Sequence, residues 1–337
     1  MSEEQMATEV ADPEAIIVGI DGSSASRNAL KWAIDEARAQ KKSIRLVGAY
    51  TVPSVASATV DVSYVPIDDS AVRASVSDSL REAASLVKDA GVEVEAIIEI
   101  GDAAGVLVEE SKQGSLAVVG SRGRGGFAGR LLGTVSSALP AHSHCPTVVI
   151  PVGWSDDTER TPEQTASRPI RNAGGDSFDD TIEADTVTGP DYTGQVVVGI
   201  DALGVDSQAL WEAAELANRR GSSLVLLGVI TTTVVGPEWL PSTGDMKRYV
   251  DKGADKLAIA AQAVREKYPD LDVSWSLYDG QPAEALVRAS DTASVLVIGS
   301  RGRGGVSGPP PGAAAPAGLP LFFPAAHPPR KNNGCPA

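Results

Sequence analysis

LAVVGSRGRGGFAGRLLGTVS, residues Leu116 to Ser136, opens with a short apolar run, Leu116 to Val119, that lacks helical periodicity and ends in glycine. Such a run reads as a buried parallel strand. Five glycines follow, Gly120, Gly123, Gly125, Gly126 and Gly129, before Gly133-Thr134 opens a helical segment, Val135 to Ala141, that Pro140 is expected to kink or shorten. Strand, glycine loop and helix start together make a phosphate cradle. Glycine lets backbone N–H groups approach an anion closely, and the first-turn amides and helix dipole favour negative charge there. Thr134 and Ser136 add hydroxyl donors. A solvent-exposed loop or an arginine–glycine RNA-binding tract has a similar composition. The recurrence of GSRGRGG at Gly299 to Gly305, again behind an apolar run, favours the cradle.

Working outward, a chain of 337 residues has room for two domains of about 150 residues each. No apolar run approaches the ~18 residues that span a bilayer, so no membrane partner is expected. The acidic start MSEEQMATEVADPE does not read as a signal peptide, and cytoplasm is the expected location. Cys145 and Cys335 form neither a CxxC pair nor a disulfide framework. The net charge of −15 argues against nucleic acid or an anionic membrane as a general partner. Arg122 and Arg124 stand out against that charge, either as solubilising loop residues or as charges beside a phosphate.

Read in order, Ala15 to Ile20 is a buried strand ending at Asp21-Gly22-Ser23-Ser24, with Ser23 or Ser24 capping a helix to about Gln40. That helix places Ala29, Leu30, Ala33, Ile34 and Ala37 on one face. Strands follow at Ser43–Tyr50, Glu93–Ile100, Leu116–Val119 and Thr147–Ile150, with helices at Ala71–Ala90 and about Ala104–Lys112. Thr51 to Asp69 is long for a connection and reads as a lid or a ligand-facing loop. Strands alternating with helices imply a doubly wound α/β fold with a parallel sheet.

Trp154 to Thr193 is acidic, rich in Pro, Gly, Ser and Thr, and reads as a flexible linker. The first half then begins again: strands at Val196–Ile200, Ser223–Ile230, Val273–Tyr278 and Val295–Ile298, and helices to Arg220, over Asp245–Tyr268 and over Pro282–Ala289. The chain is a tandem duplication. After Gly305 the second copy departs from the first. Pro309 to Pro311 cannot enter a helix interior, and Leu319 to Phe323, the one strand-like run left, is interrupted by Pro320 and bounded by Pro324. Pro/Ala/Gly-rich sequence of this kind is what a shifted GC-rich reading frame or a diverged terminus produces. The expected parts are an acidic tail without fixed structure (1–14), a first nucleotide-binding domain (15–152), the linker (153–194), a truncated second domain (195–305) and an aberrant tail (306–337).

These residues resemble the universal stress protein family, specifically its tandem-domain, ATP-binding branch. That family's motif is G-x2-G-x9-G-[ST], matched here by Gly120, Gly123, Gly133 and Thr134. The resemblance implies that Asp21 faces the nucleoside, that the backbone of Ala49 contacts adenine and that Ser136 is a further phosphate-side hydroxyl. It also implies two parallel five-stranded sheets of order 3-2-1-4-5, the second copy lacking its last helix and strand. Asp21 and Gly120 then lie at the switch point where such sheets bind ligands. Asp21 also suits a simple Asp-Gly turn, and His144-Cys145-Pro146 reads as structural; His142 and His144 are too few for a zinc site.

In the second copy Asp201, Val229, Gly299 and Gly302 are the counterparts. Gly312 falls at the third motif glycine, but Ala313 replaces the hydroxyl residue, so weak or no nucleotide binding is expected there. The family's implied ligand is ATP, with Mg2+ an option beside its phosphates. Its implied assembly is a homodimer or a pairing of the two domains within one chain. The implied role is a nucleotide-dependent stress or dormancy regulator without fast turnover. A slow ATPase or adenylating enzyme and a nucleotide-free scaffold are the alternatives. Neither a Walker GxxxxGK[ST] sequence nor an evident catalytic base accompanies the loop.

Overall fold

The computed structural model describes residues 14–52, 69–123, 133–154, 171–172, 191–200, 207–231, 243–299 and 320–324. The chain divides into two compact units, Met1–Val152 and Gly153–Ala337.

The first unit contains β1 (Ile16–Gly19), α1 (Ser24–Gln40), β2 (Ile44–Tyr50), α2 (Ser70–Asp89), β3 (Val94–Ile100), α3 (Ala103–Glu110), β4 (Leu116–Gly120), α4 (Thr134–His142) and β5 (Thr147–Ile150). Its strands are ordered β3-β2-β1-β4-β5 and all four pairings are parallel. β1 is central: Ile16 aligns with Ile44 on one side and with Leu116 on the other. Helices cover both faces of such a sheet, which is why β1 and β4 are apolar without alternation and why Ile16, Ile17, Ala117 and Val118 are fully buried. β3 has β2 as its only neighbour among the described residues, and Glu95, Glu99 and Ile100 are exposed on it.

Local signals place the elements. Ser23 caps α1, its Oγ accepting from the Ser26 amide at 3.1 Å. Ala29, Leu30, Ala33, Ile34 and Ala37 form the buried stripe of that helix, as their spacing predicts. Gly91, with φ of +74°, lets the chain turn after α2. α4 continues two residues past Pro140. The proline lies near the helix end, where its missing amide removes a single hydrogen bond.

The second unit contains β6 (Arg171–Asn172), β7 (Val196–Ile200), α5 (Gln208–Arg220), β8 (Leu224–Ile230), α6 (Thr243–Lys267), β9 (Val273–Asp279), α7 (Pro282–Thr292), β10 (Val295–Gly299) and β11 (Pro320–Pro324). Strands β10, β7, β8 and β9 repeat the parallel core of the first sheet. The parallel fifth strand has no counterpart among the described residues. Its place beside β10 is taken by β11, which runs antiparallel, with Gly299 opposite Pro320 and Val295 opposite Pro324. The two prolines occupy the ends of the strand, where a missing amide costs the ladder least. Within the stretch read as a linker, β6 pairs antiparallel with β9. Tyr192 is also buried there, its hydroxyl 3.1 Å from that of Tyr278 and its amide donating to Thr292 Oγ1. Most of the two long connections, 53–68 and 232–242, falls outside the described residues.

The duplication extends to close packing. A Cβ at Gly48 would lie 2.6 Å from Val76 Cγ1, and one at Gly228 would lie 2.7 Å from Leu257 Cδ1. In each copy a bare α-carbon on the second strand lets the following helix approach the sheet. Gly48→Val is therefore expected to destabilise the first unit by about 1–3 kcal/mol through overpacking. The first unit's transition in urea unfolding, followed by fluorescence, should shift to lower denaturant while the second unit's transition stays in place.

Candidate functional site

The crevice at the carboxyl ends of β1 and β4 is the topological switch point of the first sheet, because β1 leads to β2 on one side and pairs with β4 on the other. The chain leaves β1 at Asp21, whose carboxylate is exposed and whose Oδ1 accepts from the Ser23 amide at 2.9 Å. That hydrogen bond fixes the Asp-Gly turn into α1. The carboxylate also reaches across to β4: a Cβ on Gly123 would lie 2.5 Å from Asp21 Oδ2. Asp21 and Gly123, about a hundred residues apart in sequence, are thus in contact, and a side chain at 123 would have to displace the Asp21 carboxylate.

Gly120 is held equally tightly. A Cβ there would meet the Ala25 carbonyl carbon and Cβ at 2.7 Å, so the end of β4 packs directly on the first turn of α1. The chain is then steered by Ser121, which donates its amide to Ile150 O at 2.7 Å. Residues 124–132 lie outside the described residues, Arg124 among them. When the chain resumes at Gly133, that amide donates to Ser121 O and to Ser136 Oγ, both at 2.9 Å. Ser136 Oγ in turn donates to Ser121 O at 2.8 Å, and the residue is buried. Thr134, the first residue of α4, is exposed. Helix α4 therefore starts beside the end of β4, and its first-turn amides, which have no partner within a helix, open next to the glycine segment.

Ala49 and Val229 occupy matching places. β2 and β8 are each buried along their whole length except at one half-buried residue, which is Ala49 in the first and Val229 in the second. Just beyond Ala49, the Tyr50 hydroxyl donates to Asp69 Oδ2 at 2.7 Å, joining the end of β2 to the start of α2. This hydrogen bond, foremost, raises the Tyr50 pKa above the ordinary phenol value. In the second unit Gly299 ends β10, while Asp201 and Gly302 lie outside the described residues.

Sequence reasoning missed Ser121 and the Tyr50–Asp69 pair. Ser121 acts through its backbone, which carries no residue-type signal. Tyr50 and Asp69 are separated by a long connection whose path the sequence does not specify.

His144 and Cys145 have partners outside the glycine segment. The His144 amide donates to Ser111 Oγ at 2.9 Å, and Cys145 is buried beside Ser143. Among the described residues no group of His, Cys, Asp and Glu is placed to hold a metal ion. No helix among them is long and apolar enough to cross a membrane.

The family model for the universal stress proteins matches residues 14–151 and 193–309, which takes in the parallel strands of both units and the glycine segments. The chain belongs to the universal stress protein family. A universal stress protein of Mycobacterium tuberculosis, Rv2623, is 32% identical over 311 residues, covering 87% of this chain and 88% of that protein. Both are therefore universal stress proteins of similar length. The crystal structure of a universal stress protein from Archaeoglobus fulgidus covers 94% of this chain and 100% of that chain with a TM-score of 0.53. At 19% identity that likeness shows the shared fold. A universal stress protein crystallised in complex with cAMP is 30% identical, covers 40% of this chain and 95% of that one, and has a TM-score of 0.32.

Burial pushes the Cys145 thiol up to about 11. A thiol so placed holds little thiolate at neutral pH and is unreactive. Peptide mapping after iodoacetamide treatment at neutral pH should find Cys145 unmodified in the folded protein and fully alkylated once urea unfolds the first unit.

Proposed function

We propose that the first unit binds an adenine nucleotide, ATP, at the crevice between the ends of β1 and β4, and that this binding state makes the chain a nucleotide-dependent stress or dormancy regulator. The observation that carries the reading is the contact of Asp21 with Gly123. It sets an acceptor-only carboxylate and a bare stretch of backbone side by side at the switch point, with the start of α4 adjoining. An ionised aspartate accepts from ribose hydroxyls or the adenine amine and repels phosphate. Bare backbone amides and a helix start favour phosphate. Nucleoside on the Asp21 side and phosphates toward Gly123, Gly133 and Thr134 is the orientation that satisfies both. Ala49, the half-buried opening in an otherwise buried strand, lies where the base would rest.

Mg2+, if it accompanies ATP, would be held chiefly by the phosphates. Turnover is expected to be slow, because Asp21 already accepts from the Ser23 amide and the motif carries no evident base. The second unit, in which the antiparallel β11 stands beside β10 where the first has the parallel β5, is expected to contribute no comparable site. The proposed setting is the cytoplasm, and the proposed assembly is a homodimer or a pairing of the chain's two units.

Calorimetric titration with ATP tests this. The expected stoichiometry is one per chain. Asp21→Ala should weaken binding roughly ten- to a hundredfold, as for a lost hydrogen bond to a charged group. Gly123→Ala should weaken it comparably by displacing the carboxylate. Wild-type affinity in both variants removes the site, and two equal sites per chain remove the asymmetry. Phosphate release above a trace in the same samples would favour the slow-ATPase reading, and absence of any binding the scaffold reading.

A further inference from the structure

The family resemblance implies that Ser136, two residues past the motif, is a phosphate-side hydroxyl, yet its surroundings show a different task. Ser136 is 1% exposed. Its Oγ donates to Ser121 O at 2.8 Å and accepts from the Gly133 amide at 2.9 Å. The Gly133 amide also donates to Ser121 O at 2.9 Å, so three groups close a ring across the two ends of the glycine segment. One end directly follows β4 and is pinned to β5 by the hydrogen bond from the Ser121 amide to Ile150 O, and the other is the N-terminus of α4. The ring does not depend on a glycine at 133, since a Cβ there would make only ordinary contacts, at 3.6 Å or more from Ser121 O, Arg122 Cα and Ser136 Oγ. A hydroxyl bonded on both sides and shielded from solvent has little left to offer a ligand.

The geometry points to Ser136 as a positioning residue: it ties the start of α4 to the end of β4, so that the exposed Thr134 and the first-turn amides are presented to the phosphates without Ser136 touching them. This rests on the nucleotide reading above for its consequence, but the tie itself exists in the free protein. It also separates two neighbouring hydroxyls of the α4 start: Thr134 is exposed and Ser136 is buried.

Ser136→Ala, studied in the full chain, tests the assignment with two measurements. In the nucleotide-free protein, amide hydrogen exchange at Gly133 should accelerate about tenfold or more, since one of its two acceptors is gone. In titrations, ATP should bind about tenfold more weakly while adenosine, which has no phosphates, binds as it does to the wild type. Unchanged Gly133 exchange together with weakened ATP binding would overturn the assignment in favour of a direct phosphate ligand. Equal losses for ATP and adenosine would overturn it in favour of general destabilisation. If the wild type binds no nucleotide, the reading of the site fails on its own, while accelerated exchange at Gly133 still upholds the tie.

Discussion

The first unit depends on a contact that leaves no space for a side chain. At Gly120 the end of β4 meets the backbone of Ala25, in the first turn of α1, closely enough that a Cβ would sit at 2.7 Å. That approach brings the turn after β1 and the turn after β4 together at the sheet's switch point. The Asp21 carboxylate then falls against the α-carbon of Gly123. A larger residue at Gly120 would force the helix away, and one at Gly123 would displace the Asp21 carboxylate, so backbone rather than side chains lines the floor of the crevice.

The same device shapes the sheet at a second level. Gly48 admits α2 against β2, and Gly228 admits α6 against β8. Gly19 and Gly199 likewise receive Leu107 and Leu286 from the helices before the fourth strands. These paired glycines have nothing to do with a ligand. They show that the two copies share a packing plan as well as an order of elements, and that the plan survives in the second unit up to the end of β10.

Beyond β10 the copies part. In the first unit α4 returns the chain so that β5 runs parallel to β4, and the start of α4 is anchored through Ser121, Gly133 and Ser136. In the second unit Pro320–Pro324 pairs with β10 in the opposite direction. A parallel neighbour requires a crossover, whereas an antiparallel one needs only a return of the chain. Pro320–Pro324 supplies such a strand, with its prolines at the two ends. The nucleotide reading accordingly rests on the first unit.

Much of this was legible in the sequence, because the signals are local. Apolar runs such as Ala15–Ile20 and Leu116–Val119, the cap at Ser23, the stripe from Ala29 to Ala37 and the recurrence of GSRGRGG each depend on neighbours within a turn or a strand. They determine the α/β alternation, the duplication and the glycine motif. Tertiary structure alone decided which groups meet. The Asp21–Gly123 contact, the inward hydroxyl of Ser136, the Tyr50–Asp69 bond and the direction of β11 all join elements far apart in the chain. The physical reason is that periodicity fixes which face a residue occupies, whereas the atom it touches there is set by how closely other elements can pack.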